Sequence, residues 1–284
     1  MQNNLDKKID LHMHSVHSDG AKTPEELIAM AKERNIEYIA LSDHDTASGV
    51  SEMIECGKKE GIKVFSAIEL SCFDKKDTHV LGYCINPDDE AFVKKLEELK
   101  MARKNRAFEM IERLQKGGFK ISVEDVVSNA EVIGRPHIAN ALIKNGYGKN
   151  IRDIFQKYIG YGCKYYVPYT KMSVEDGIEL IKNAGGFAVL AHPKLLRYNT
   201  YDMTKLICKY KEAGLTGIET YYPCHYDSDV KFFTKVALQE NLIMTVGGDY
   251  HNDNDKTKNK MGFSLELPHL NKTLEFFKDF EGRK

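Results

Sequence analysis

Gly185-Gly186-Phe187-Ala188-Val189-Leu190-Ala191-His192-Pro193 holds one repeating unit of the fold. The paired glycines stop the preceding helical stretch, Phe187 to Ala191 makes a strand, and an imidazole stands at the strand's C-terminal end. Working outward, other short apolar or β-branched runs alternate with stretches of helical period. They are Ile9 to His14, Tyr38 to Ser42, Val64 to Leu70, His79 to Tyr83, Gly217 to Tyr221, Met244 to Gly248 and a last one near Phe263 to Leu267. Such alternation predicts parallel strands joined by crossover helices. Gly61-Ile62 and Gly214-Leu215 repeat the helix stop, and Thr23-Pro24-Glu25-Glu26 and Ser173-Val174-Glu175-Asp176 read as helix starts with a capping hydroxyl and first-turn acids. With 284 residues, the chain has the length of an α/β barrel carrying an insertion.

Between about Asp88 and Tyr166 the alternation gives way to a helix-rich stretch with Leu96, Leu99, Met110, Ile111 and Leu114 as apolar positions and Gly117-Gly118 as its stop. The expected organisation is a barrel domain formed by residues 1–90 and 166–284, with a helical cap inserted over 91–165. Within Lys94 to Lys120, nine Lys or Arg stand against four Glu, a local excess that suits a solvated helix face or a phosphate-bearing substrate. The whole chain carries a formal net charge of −1, so no global basic field draws it to nucleic acid or anionic membranes. A 42% hydrophobic content argues against disorder. Cys56, Cys72, Cys84, Cys163, Cys208 and Cys224 form no C-x-x-C pair, which favours reduced thiols over a thiolate metal site. No run approaches ~18 apolar residues, and Met-Gln-Asn-Asn-Leu-Asp-Lys-Lys has no signal-peptide core, so a cytoplasmic address without membrane contact is expected. Nothing marks an obligate protein partner.

The chemistry starts at Asp10-Leu11-His12-Met13-His14, where strand alternation puts Asp10, His12 and His14 on one face. Two imidazoles at i and i+2 can share a metal, with Asp10 holding one of them from behind. An isolated H-x-H is weak. Here Ser42-Asp43-His44-Asp45-Thr46 follows the second strand, Glu69 ends the third, His79 opens the next beyond Asp74-Lys75-Lys76-Asp77, and His192, Asp249 and His251 follow later strands. Strand C-terminal ends are where barrel active sites are assembled, so the joint pattern points to a metal site. Taken singly, Asp19 can make the Ser18-Asp19-Gly20 turn, Asp43 and Asp45 can cap a helix, and Glu69 can be a salt-bridged rim residue.

Together, D-L-H-M-H-S-x-H-S-D-G, S-D-H-D-T, Glu69, His79, A-H-P and G-D-Y-H resemble the polymerase and histidinol phosphatase (PHP) family over nearly the whole chain. Gly134-Arg135-Pro136-His137-Ile138-Ala139 and Tyr221-Tyr222-Pro223-Cys224-His225 extend the likeness to stand-alone bacterial members with a helical insertion, among them nucleotide phosphatases and a 5′-to-3′ exoribonuclease. Gly248 and Tyr250 depart from the more usual serine and phenylalanine without replacing a ligand. The resemblance implies a distorted (β/α)7 TIM-like barrel and two to three divalent metals held by His12, His14, Asp19, His44, Glu69, His79, His192, Asp249 and His251, with Glu69 bridging. Donors of this mixed nitrogen and oxygen kind suit Mn, Fe or Zn. Cations roughly 3.5–4 Å apart lower the pKa of a shared water and stabilise the oxygens of an in-line displacement.

The expected activity is hydrolysis of a nucleotide phosphate ester, for example the 3′-phosphate of a 3′,5′-bisphosphate, by a metal-bridging hydroxide. The alternatives are exonuclease action on short RNA and a catalytically silent metal-binding module. Asp249 and His251 serve as ligands or proton relays, and Arg135 supplies a planar fork for phosphate. His137 and His225 add substrate contacts, and Tyr222 stacks a base or packs at the rim. Glu69 stands where the familiar metal-dependent amidohydrolases carry a bridging lysine, which argues against that chemistry. His17 and His269 are expected on the surface.

Overall fold

The first strand, β1 (Lys8–Met13), carries the H-x-H pair, and the rest of the sheet wraps from it. A computed structural model describes residues 7–127, 131–253 and 261–283; residues 1–6, most of the stretch read for a signal peptide, lie outside them. In chain order β1 is followed by α1 (Pro24–Glu33), β2 (Ile36–Leu41), α2 (Val50–Glu60), β3 (Lys63–Asp74) and β4 (Lys76–Tyr83). Then come the helices α3 (Glu90–Lys116), α4 (Arg135–Lys144) and α5 (Ile151–Ile154), the last running into a π turn at Phe155–Ile159. The chain returns through α6 (Val174–Asn183), β5 (Phe187–Leu190), a 3₁₀ turn (Pro193–Leu196), α7 (Thr200–Ala213) and β6 (Leu215–Tyr221). It ends with α8 (Asp227–Gln239), β7 (Ile243–Val246), β8 (Phe263–Ser264) and α9 (Leu270–Glu281). The expected cap formed by Thr23 is present: its hydroxyl accepts from Glu26 N while the Glu26 carboxylate accepts from Thr23 N.

The strands form one sheet in the order β7-β6-β5-β4-β3-β2-β1-β8. It curls into a nearly closed barrel because the chain after β7 pairs with β1: Asp249 N donates to His12 O at 2.8 Å and His14 N to Tyr250 O at 2.9 Å. The all-parallel expectation fails at β4 and β8. β4 runs antiparallel to both β3 and β5, since the turn at Lys75 (φ 58°) makes a β3–β4 hairpin in place of a crossover, and β8 pairs antiparallel with β1. Reversal puts the start of β4 beside the end of β3. That is why His79, near the beginning of its strand, still joins groups from the ends of the others.

Alternation along β1 is also broken. Asp10 pairs with Ile39 but Met13 with Leu41, so three steps of β1 match two of β2, the signature of a bulge. Ile9 and Leu11 pack with Phe65, Ala67, Leu81 and Val189, whereas Met13 packs with Leu27, Ile28 and Leu41. Asp10 therefore does not share a face with the imidazoles. Its carboxylate accepts backbone N–H groups of His12, Gly248 and Gly262 at 3.2, 2.9 and 2.7 Å, fastening β1 to the segment after β7.

Helix α9 closes the end of the barrel away from the histidines. Phe277, 1% exposed, sits 4.8 to 5.0 Å by ring centroid from Phe65, Phe187 and Tyr83. Phe277→Ala is expected to cost about 3–5 kcal/mol of stability in urea unfolding. Activity per folded molecule should be unchanged, because no polar group of the opposite end touches this ring. Helix α3 links two cores: Phe92, Leu96 and Leu99 pack on the outer face of the barrel with Leu70 and Ile178, while Ala107, Met110, Ile111 and Leu114 pack with Ile138, Leu142 and Ile159 of the later helical stretch.

Candidate metal centre

Glu69 is fully buried, and five imidazoles point at it. Its Oε1 lies 2.8 Å from His192 Nε2 and 2.9 Å from His79 Nδ1. Its Oε2 lies 3.1 Å from His44 Nδ1, 3.2 Å from His12 Nε2 and 3.3 Å from His14 Nε2. Asp249 Oδ1 adds contacts at 3.1 Å to His14 Nε2 and 3.4 Å to His12 Nε2, and Asp19 Oδ1 lies 3.2 Å from His251 Nε2. All nine residues expected to hold metal thus meet in one pocket. His192 and Asp249 sit at positive φ, 28° and 50°, in a region that few residues other than glycine adopt. Such outliers at strand ends are typical of sites where side chains are aimed against local preference.

The arrangement leaves polar atoms unanswered. His12 Nε2, His14 Nδ1, Asp19 Oδ1, His44 Nδ1 and Glu69 Oε2 are buried and make no hydrogen bond. The reason is clearest at His12. Its Nδ1–H donates to Glu219 Oε1 at 2.8 Å, so Nε2 presents a lone pair toward carboxylate oxygens that are themselves acceptors. His251 repeats the logic, with Nδ1–H donating to Asp249 O at 2.9 Å and Nε2 facing Asp19. Acceptors converging on acceptors in a buried space are what a cation satisfies. Three overlapping groups can each hold one: His14, Asp19, His44 and His251; His12, His14, Glu69 and Asp249; and His44, Glu69 and His79, with donor atoms in each within 4.8 Å of one another. The donor set fits divalent cations bound by nitrogen and oxygen.

Glu219 is the functional residue that sequence reasoning missed. Besides orienting His12, its Oε2 accepts from His192 N at 2.6 Å. Gly247 lets the chain pass close by, since a Cβ there would lie 2.1 Å from His12 Cβ and 2.7 Å from Glu219 Oε1. A fully buried acid inside the apolar run Gly217 to Tyr221 was the available signal. Asp43 and Asp45 cap no helix. Asp43 accepts from Ser15 N, Ser15 Oγ and Ser18 Oγ and pins the loop after β1, and Asp45 accepts from Ser71 N and Arg103.

The residues expected to meet substrate are placed unevenly. The Tyr222 hydroxyl donates to Asp249 Oδ2 at 3.0 Å, with its ring 5.5 Å from His192. His225 Nδ1–H donates to Thr220 O, leaving a buried Nε2 without a hydrogen bond. Arg135 opens α4 and lies 3.2 Å from Asp77, with its guanidinium over the Phe155 ring. Both ring nitrogens of His137 are engaged, Nδ1 accepting from Gly134 N and Nε2–H donating to Ser18 O, so it caps α4 and clasps the loop after β1. His17 is not a bare surface residue, because its Nδ1 lies 3.2 Å from Glu131 Oε1.

The PHP domain family model matches residues 10–213 of this chain. The chain belongs to the PHP domain family. A 3′,5′-nucleoside bisphosphate phosphatase of Chromobacterium violaceum is 32% identical over 92% of this chain and 92% of its own length. A 5′-3′ exoribonuclease of Haemophilus influenzae is 31% identical over 87% of this chain and 91% of its own. Among solved structures, an amidohydrolase from Chromobacterium violaceum with bound sulfate and no metal has a TM-score of 0.85 and 31% identity, covering 95% of this chain and 96% of that one.

Electrostatics in this PHP domain follow from the packing. Burial alone raises a carboxyl pKa, but His44, His12 and His79 outweigh it and hold Glu69 well below the usual carboxylate range. Burial likewise opposes a charge on His12, yet Glu219, Glu69 and Asp249 push it well above the ordinary value, so with no cation in place a proton is drawn to the Nε2 lone pair that faces the last two. His44 goes the other way, down to about 3, since burial dominates its carboxylate neighbours. His251 overcomes burial through Asp19 and Asp249 and rises to about 10. Glu219→Gln keeps the shape but offers His12 a weaker acceptor. It is expected to lower metal affinity about 10–100-fold, read by chelator competition.

Proposed function

We propose that this PHP domain hydrolyses a phosphate ester of a nucleotide, such as the 3′-phosphate of a 3′,5′-bisphosphate, with two to three divalent cations of Mn, Fe or Zn in its cluster. The carrying observation is the set of five buried, unbonded donor atoms that face one another around Glu69. The bisphosphate phosphatase of Chromobacterium violaceum, similar along almost its full length, supports the substrate class. When bound, such cations polarise a phosphoryl oxygen and lower the pKa of a water.

The chain's own residues do the rest by position. Glu69 would hold the cations together with the imidazoles around it, Glu219 fixes the His12 tautomer, and Tyr222 and His14 hold Asp249 through its two oxygens. Asp249 and His251 are suited to relay a proton, His225 Nε2 to accept a hydrogen bond from a substrate hydroxyl, and Arg135 to grip a phosphate. In this reading residues 1–90 and 166–284 form the catalytic barrel and 91–165 the cap over its mouth. The second reading, 5′-to-3′ cleavage of short RNA, is favoured by the similarity to the Haemophilus influenzae exoribonuclease.

The test is a screen of Mn-, Fe- and Zn-reconstituted protein against adenosine 3′,5′-bisphosphate, short 5′-phosphorylated RNA and sugar phosphates, with His12→Ala as the contamination control. Phosphate release from the bisphosphate that disappears in the control is expected. Equal turnover by wild type and control would remove the cluster from the reaction.

A further inference from the structure

Helix α8 carries its charges unevenly. Asp229 and, just past its end, Glu240 lie on one side, tied to Lys194 of the 3₁₀ turn and, at 2.9 Å, to Lys211 of α7. At about 100° per residue the opposite side bears Lys231, Lys235 and Leu238, the last 55% exposed. Between that side and the loop before α9 lies a cavity of about 510 Å³, floored by Tyr221, Val230, Leu238 and Pro268 and rimmed by Lys231 and Lys235. The Tyr221 hydroxyl donates to Pro268 O at 2.9 Å and fixes the far wall. Leu238 also lines a second cavity of about 270 Å³, over Leu242, Ile243 and Met244 and beside Lys272. The two join there into a trough that runs roughly 12 Å along α8 from Val230 and on to Leu242.

No carboxylate lines either cavity, and among the described residues Lys231, Lys235 and Lys272 make no ion pair. Asp227, one turn before Lys231, borders neither cavity. Three uncompensated ammonium groups around an apolar floor give the trough a local positive field. Its size and its apolar walls with few polar groups are those of a small-molecule site. A bare inorganic anion would answer the lysines but leave the floor in water, so the occupant joins an anionic head to an apolar body. The nature of that body follows from the walls. The backbone N–H and C=O groups of α8 are spent within the helix, so an extended peptide laid here would leave its own backbone groups unpaired. An acyl chain has none to satisfy.

We propose that this trough binds a long-chain carboxylate, with its head between Lys231 and Lys235 and its acyl chain laid over Tyr221, Pro268 and Leu238 toward Leu242 and Met244. Lys231 and Lys235 stand one turn apart on the helix, close enough to hold one carboxylate between them. Each methylene withdrawn from water strengthens binding by up to about fourfold. None of the nine residues around Glu69 lines the trough, so this site is separate from the metal centre and stands whatever that centre hydrolyses.

The test is fluorescence titration of the full-length protein with dansylaminoundecanoate and with its methyl ester, which keeps the apolar body and lacks the charge. Wild type is expected to bind the acid saturably and the ester about tenfold more weakly, the effect of two exposed ion pairs. Lys231→Glu combined with Lys235→Glu should abolish that preference, Leu238→Glu should weaken acid and ester alike by about tenfold, and decanoate should displace the probe from wild type. All three side chains are exposed, so the variants should melt at the wild-type temperature. Absence of saturable binding, equal affinity for acid and ester, or folded variants that bind the acid as wild type does would overturn the proposal. Displacement by an acidic, leucine-bearing peptide but not by decanoate would overturn it in favour of a protein partner. Dimerisation that Leu238→Glu abolishes, with no probe bound, would overturn it in favour of a second copy of the chain.

Discussion

Glu69→Gln is expected to lower kcat by at least about a thousandfold while leaving the protein folded. This carboxylate touches five imidazoles, two through Oε1 and three through Oε2. Glutamine has the same outline but no charge, and its amide hydrogens would face ring lone pairs that are set to face a cation. Two consequences should appear together: reduced metal content by elemental analysis, and lost turnover that excess metal does not restore. A variant with full metal content and near wild-type kcat would show that the cluster is structural. Glu69→Ala is the less informative change, because it opens a cavity beside fully buried His12 and His14 and mixes packing with charge.

Removal of divalent cations is the second large effect. A ligand that binds only the folded state at a hundred times its Kd adds about 2.7 kcal/mol. For a domain of this size that corresponds to a Tm change of roughly 5–10 °C. Chelation should lower Tm by that amount and re-addition of Mn or Zn should restore it, followed by a thermal melt at fixed protein concentration. The shift should grow as pH rises from neutral and shrink as it falls, because protons compete for the same imidazole nitrogens that a cation needs, and the acids around His12 and His251 make those rings hold a proton more tightly than a free imidazole does. A Tm indifferent to chelator would mean that these residues bind no ion. His12→Ala supplies the contrast, since it should melt at one temperature with or without metal.

Sequence alone carried the site further than the path of the chain. Histidines following apolar runs, as at His44 and His192, could be read because strand ends and helix stops leave local marks. All nine expected ligands meet around Glu69 for that reason. The direction of β4 had no such mark. Asp74-Lys75-Lys76-Asp77 was read as a turn, yet only long-range pairing decides whether the strand beyond it comes back alongside β3 or crosses over. The slip in β1 was equally silent, since a bulge adds one residue without changing composition, and it moved Asp10 from the imidazoles to the backbone of Gly248 and Gly262. Glu219 and the Arg103–Asp45 pair joined positions far apart in the chain, where one sequence offers residue types but no partners.

Helix α3 runs 27 residues from Glu90 to Lys116 without a glycine or proline, anchored at its start on the barrel and near its end in the second core. It behaves as a drive shaft. Adding or deleting one residue in its middle would turn everything downstream by about 100° and shift it by about 1.5 Å, swinging the later helices to another side of the mouth. Length changes in this connection are therefore tolerable only in whole turns. A series of alanine insertions of one to four residues after Met101 should restore function at three or four and lose it at one and two.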